Sequence, residues 1–239
     1  MKRLSFLISL LLLFVFGCRI KDKKVSQNTA SSSIKNSVDS TIADNETIKV
    51  NAIQKDTFRL NADNAIDFFF NYVKEIQQDK VRLTTSLGSF TVQLYDNVPY
   101  HKANFIYLTK KGYFNNTQFH RVVPNFIIQG GNSDDRETSA KRKAIGRYLL
   151  PPDTQKGHKH HRGTISMPSS ERDNPHKLAS PFEFFIVVAK PGSYHLDGNY
   201  TPFGRVIEGM DVVDKINQVA IDKGEWPMQN VYINNAEVL

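Results

Sequence analysis

A single cysteine, Cys18, stands in a chain of 239 residues. That excludes an internal disulfide framework and any cysteine-rich zinc module. The chain also lacks an H-E-x-x-H, G-x-S-x-G, Walker A or G-x-G-x-x-G pattern, so chemistry here needs neither an activated nucleophile nor a bound nucleotide. Long apolar runs are missing too. Leu4 to Gly17 is 14 residues without a charge; as a helix it would reach about 21 Å, short of a ~30 Å hydrocarbon core. There is no internal repeat. Acidic residues are outnumbered, 24 against 31 basic, for a net charge of +7. What remains, 40% hydrophobic and 23% charged residues, is ordinary globular composition. It rules out a wholly disordered chain, a collagen, a coiled coil and a polytopic membrane protein. The length allows one or two domains with a sizeable core.

The N-terminus reads as a targeting segment. Met1-Lys2-Arg3 supplies positive charge ahead of the apolar run, and residues 1–17 are expected to be a signal peptide. No A-x-A cleavage site follows. The run ends instead in Val15-Phe16-Gly17-Cys18, which resembles a bacterial lipobox, with Phe16 bulkier than the usual residue. The resemblance implies that Cys18 is lipidated and anchors the protein to a membrane of the bacterial cell envelope, facing the periplasm or the cell surface. Each acyl CH₂ buried in lipid contributes ~0.8 kcal/mol, and two or more chains hold firmly. The alternative is a buried or idle thiol.

Residues 18–60 are rich in Lys, Ser, Asn, Asp and Thr and show no sustained period, so they are expected to form a flexible linker. Lys21, Lys23 and Lys24 suit an anionic lipid surface or plain solubility. Over 61–80, capping residues Asn61 and Asn64 precede Ile66, Phe69, Phe70, Val73 and Ile76, a helical apolar spacing. This helix docks on the following domain or takes a partner; the spacing does not separate the two.

From residue 81 to 239 the pattern is mostly strand. Val81, Leu83 and Thr85, then Phe90, Val92 and Leu94, alternate with polar residues about Leu87-Gly88, a hairpin signal. A helix opens near Pro99, buries Ala103, Phe105, Ile106 and Leu108, and stops at Gly112. Strands are expected at Gln118–Val123, Phe126–Gly130, Gly163–Met167, Phe184–Val188, Thr201–Val206 and Val231–Leu239, with a second helix at Gly209–Gln218. Many short strands and two helices argue an antiparallel barrel or sandwich.

Within Phe119-His120-Arg121-Val122-Val123, strand alternation puts Phe119, Arg121 and Val123 on one face. An arginine among apolar neighbours is costly unless it is paired or has a task. Gln129 closes a second apolar run ahead of Gly130-Gly131. The whole stretch, F-H-R-V-V-P-N-F-I-I-Q-G-G, closely resembles the signature of the cyclophilin family of peptidyl-prolyl cis–trans isomerases. The likeness extends through Leu83 to Tyr95, Ala103-Asn104-Phe105, Arg162 to Met167, Phe184 to Val187 and Leu196 to Val206. It implies a closed eight-stranded antiparallel barrel capped by two helices, acting on proline-containing polypeptides without a cofactor. By resemblance Arg121 and Gln129 are catalytic, and Phe126, Met167, Phe185, Leu196, His195 and Tyr200 bind the substrate.

Four positions depart from the family. His195 replaces a common tryptophan, Tyr200 a pocket histidine, Pro168-Ser169 the usual Ala-Asn, and Glu183 the usual glutamine. Glu183 is expected to hold Arg121 or to compete with substrate. Residues 134 to 162 form a basic, His-rich insert, read as a solvated loop or as a surface for an anionic envelope; nucleic acid is not an expected partner of an anchored, exported protein. His158, His160 and His161 lack a carboxylate or cysteine beside them in sequence, so no metal site is assigned. A monomeric prolyl isomerase assisting extracytoplasmic folding is the main reading. The alternative, favoured by Pro168, Ser169 and Glu183, is a catalytically weak peptide-binding module on the same barrel.

Overall fold

A computed structural model describes residues 58–169, 173 and 175–239. The signal peptide, Cys18 and the linker up to residue 57 lie outside the described residues. In chain order the elements are α1 (Ala65–Tyr72), β1 (Lys80–Thr85), β2 (Gly88–Leu94), α2 (Pro99–Lys110), β3 (Thr117–Val123), β4 (Ile127–Asn132), α3 (Arg136–Ile145), β5 (Thr164–Ser166), β6 (Phe184–Val187), β7 (Pro202–Glu208), α4 (Met210–Asn217) and β8 (Val231–Val238). The strands close into an antiparallel barrel in the order β1-β2-β7-β5-β6-β4-β3-β8. Closure removes every free edge. The inward residues Leu83, Phe90, Phe119, Ile128, Ile165, Phe184 and Phe203 form the main core.

Helix α2 plugs one end. Its apolar face was expected, but its opposite side is covered too: Tyr107 meets Phe68 at 5.1 Å and Phe69 at 5.9 Å, both edge-on. The N-terminal helix therefore docks on the domain, with Phe69 fully buried. Phe70 faces out, half exposed, under the Lys74 ammonium at 3.9 Å. The docking begins before the helix. Leu60 is buried, donates to the Ile145 carbonyl at 2.8 Å and accepts from the Arg147 amide at 2.9 Å. Position 60 is thus part of the folded unit, four residues before the helix N-cap Asn64.

The basic insert is not simply a loop. Arg136 to Ile145 is a third helix on the barrel, capped by Asp135, whose carboxylate accepts from the Thr138 amide at 2.6 Å. Only Thr138 and Ile145 of it are buried, so it carries no apolar stripe. Among the described residues, no helix is long and apolar enough to cross a membrane.

Candidate active site

The site is built on the outside of the barrel. Strands β3, β4 and β6 lie side by side, and their register aligns Arg121 with Gln129 and Gln129 with Phe185. Residues directly opposite in antiparallel strands share a face, so these three make a row across the barrel wall. The neighbouring row is Val123, Ile127 and Val187. Strand spacing of about 4.8 Å puts the two ends of each row roughly 10 Å apart.

Simple alternation along β3 would send Phe119 and Arg121 to the same side. The structure corrects this expectation. Phe119 pairs with Gly130 and Arg121 with Gln129, so His120 is an extra residue and β3 bulges there. Phe119 then fills the core while Arg121 faces out. A bulge commonly re-aims a side chain in this way.

Beside the rows lies an apolar cluster separate from the main core. Ile127, Phe185 and Val187 are its floor, and Val123, Phe126, Ala189, Leu196 and Tyr200 pack on it partly exposed. Tyr200 meets Phe185 edge-on at 5.7 Å. Exposed His195 stacks on Phe126 at 5.3 Å, an imidazole rim over the phenyl ring. The structure gathers Phe126, Phe185, Leu196, His195 and Tyr200. Met167 goes elsewhere: it is buried in the main core with Ile165, because both face inward from the β5 end. Ile127 and Val187, which sequence reasoning did not single out, replace it in the cluster floor.

Arg121 is held from one side. Its Nε donates to Glu225 Oε2 at 2.6 Å, and its side chain is 40% exposed. Among the described residues its two terminal nitrogens have no partner, so both remain available to an incoming carbonyl. Glu225 is itself locked: its carbonyl accepts from the Val122 amide at 2.8 Å and its φ is 66°, a left-handed value rare outside glycine. No motif flagged Glu225. Glu183, expected near Arg121, instead accepts from Gln129 Nε2 at 2.9 Å, Asn132 Nδ2 at 3.1 Å and Arg142 Nη2 at 3.4 Å. Burial would raise its pKa, but His120, Gln129 and Arg142 together outweigh that and hold the carboxyl below its ordinary range. An ionised Glu183 fixes the Gln129 amide.

Two further clamps shape the site. Asn217, the last residue of α4, accepts from the Asn125 amide at 2.9 Å and donates to the carbonyls of Val123 and Ile127 at 2.9 and 3.2 Å. It holds the turn that presents Phe126. Behind Phe185, fully buried His160 bonds Asp197 Oδ1 through Nδ1 at 2.8 Å and Ser166 Oγ through Nε2 at 2.9 Å. Burial lowers the His160 pKa more than Asp197 raises it. The loop carrying His195, Leu196 and Tyr200 is tied to the barrel through this Asp197 contact. His158 stacks on Tyr95 at 3.7 Å and His161 contacts the Tyr194 hydroxyl at 2.9 Å, so the three histidines of the insert part company. Among the described residues no group of three His, Cys, Asp or Glu is placed to hold a metal ion.

A family model described as cyclophilin type peptidyl-prolyl cis-trans isomerase/CLD matches residues 80–238. The chain belongs to the cyclophilin family. An isomerase of Acinetobacter baylyi is 40% identical over 58% of this chain and 72% of its own length. One from Arabidopsis thaliana is 36% identical over 67% of this chain and 93% of its own. A peptidyl-prolyl cis-trans isomerase-like 2 protein of Rhizopus delemar is 33% identical over 71% of this chain, which spans only 30% of that longer protein. In structure, a cyclophilin-type isomerase of Cryptosporidium parvum superposes with a TM-score of 0.57 at 27% identity, covering 68% of this chain and 98% of its own. The same Cryptosporidium protein was solved in the presence of the dipeptide Ala-Pro. The cyclophilin barrel here is thus an isomerase domain of known type, extended at its N-terminus by the docked segment 58–79.

Proposed function

We propose that this cyclophilin catalyses cis–trans isomerisation of X–Pro bonds in proteins folding outside the cytoplasm, held at a bacterial membrane by acyl chains on Cys18. The reading of location rests on the sequence: a short apolar run closed by the chain's one cysteine. The reading of chemistry rests on one geometric observation, the row Arg121–Gln129–Phe185 beside the Phe126 cluster.

Rotation about an X–Pro amide faces a barrier of ~18–20 kcal/mol from C–N double-bond character. No bond breaks, so the enzyme needs only to favour the twisted amide over the planar one. A rate gain of about 10⁵ requires roughly 7 kcal/mol of such preference. The proline ring sits on Phe126, Phe185 and Leu196. Arg121, always charged and planar, donates from its free terminal nitrogens to the carbonyl or to the proline nitrogen, which becomes a better acceptor as conjugation is lost. Gln129, its amide nitrogen held by Glu183, offers its carbonyl oxygen to a substrate amide.

In a protease-coupled assay on a short Ala-Pro peptide, Arg121→Ala should lower kcat/KM by about 100- to 1,000-fold, the usual loss when one such donor is removed. Equal low rates for wild type and variant would instead support the binding-module alternative, in which the Glu225 and Glu183 contacts serve to freeze the site. Mass spectrometry of membrane fractions should find acyl chains on Cys18; an unmodified, soluble N-terminus refutes the anchor.

A further inference from the structure

A cavity of about 1150 Å³ lies away from the Phe126 cluster, between the docked N-terminal segment, helix α3 and the segment before β6. Its size is at or above the upper end for sites that take small organic ligands, about 300–1,000 Å³. Half-buried Ile66, Leu149 and Leu178 and buried Phe182 give it an apolar wall. Four cations line it: Arg59, Arg142, Lys143 and Arg147. None of its described lining residues is an Asp or a Glu.

Arg142 is already neutralised. It donates from Nε to the Tyr113 hydroxyl at 2.8 Å and from Nη2 to Glu183 at 3.4 Å. Arg59, Lys143 and Arg147 are exposed, and none of them has an ion pair among the described residues. The result is an apolar chamber under a rim with three uncompensated positive charges. Part of its lining, Arg59 to Ala62 and Ile66, lies outside the family-matched residues 80–238.

We propose that this cavity is a binding site for an anionic amphiphile, a molecule with one acidic head and an alkyl chain. Charge decides the head: three cations facing a low-dielectric wall favour a carboxylate or phosphate and reject an ammonium. The wall decides the tail, since moving alkyl surface out of water onto apolar side chains is favourable. A free fatty acid and an anionic lipid share this chemistry. The site does not depend on the isomerase reaction; the residue they share is Arg142, which also donates to Glu183 and is left untouched in the test below.

The test is calorimetric titration of the full-length protein with decanoate, with decyl phosphate, with butyrate and with decyltrimethylammonium. The first two should bind saturably at one equivalent; butyrate lacks the tail and decyltrimethylammonium carries the opposite charge, and both should fail. A carboxylate-only or phosphate-only response would distinguish a fatty-acid site from a lipid-headgroup site. Lys143→Glu with Arg147→Glu should weaken binding by at least about tenfold, as expected for reversing two partly screened charges, while the Ala-Pro isomerisation rate stays at wild type. Both side chains are exposed, so the fold is retained, and the unchanged rate verifies it. No saturable binding, equal binding of decyltrimethylammonium, or binding indifferent to the charge reversal would each overturn the proposal.

Discussion

Arg121 owes its orientation to a residue more than a hundred positions away. With Nε tied to Glu225, the guanidinium plane is fixed and only its outer nitrogens are left to a substrate. Glu225 therefore acts as a positioning residue through Arg121. Glu225→Ala should lower kcat by about tenfold with KM little changed, the value expected for a charge-assisted hydrogen bond worth about 1.5 kcal/mol. Glu225→Gln, which keeps an acceptor for Nε, should recover most of it. Steady-state kinetics on the Ala-Pro peptide decides; two variants indistinguishable from wild type would remove Glu225 from the site. Which residues would be functional was partly legible. Arg121 and Gln129 stood out because a charge or an amide interrupts an apolar strand, and Phe126 through the resemblance to the family signature. Glu225 did not, because its turn has no periodicity and its contact with Arg121 is purely tertiary.

At the scale of elements, the strands were readable because inward and outward residues alternate cleanly, as in Phe184 and Ile186 against Phe185 and Val187. Two features defeat that reading. The bulge at His120 is one unpaired residue, and nothing in the sequence marks it. Helix α3 buries two side chains only, so its period is drowned by charge, although Asp135 and Thr138 are a cap signal in hindsight. The junction of α3 with the N-terminal segment is the most constrained of the element contacts. Gly146 has φ 130°, and a Cβ there would lie 1.9 Å from the Leu60 carbonyl oxygen. Gly146→Ala should destabilise the protein by at least about 2 kcal/mol through strain or loss of that contact. Hydrogen exchange should show the Leu60 and Arg147 amides unprotected in the variant; unchanged protection would count against the account.

For the molecule as a whole, acid is the predictable weakness. His101 in α2 is fully buried, neither ring nitrogen has a hydrogen-bond partner, and burial pushes its pKa down to about 3. Its folded value is below the unfolded one of about 6.5, so the native state binds fewer protons and stability falls as pH drops. The loss should run at about 1.4 kcal/mol per pH unit from roughly 6.5 downward to the folded value. His160, lowered by burial despite Asp197, adds in the same direction. Denaturant melts between pH 7.5 and 4.5 should show this slope, and His101→Phe should flatten it; an identical slope in that variant would contradict the assignment.

The seat that Leu60 and Phe69 occupy also sets where this protein can be cut. An expression clone trimmed to the family limits, beginning at residue 80, would strip the cover from Tyr107, Tyr148 and Ile145. Bared aromatic surface of that kind favours clumping, so a fragment starting near Phe58 is the shorter version expected to stay in solution.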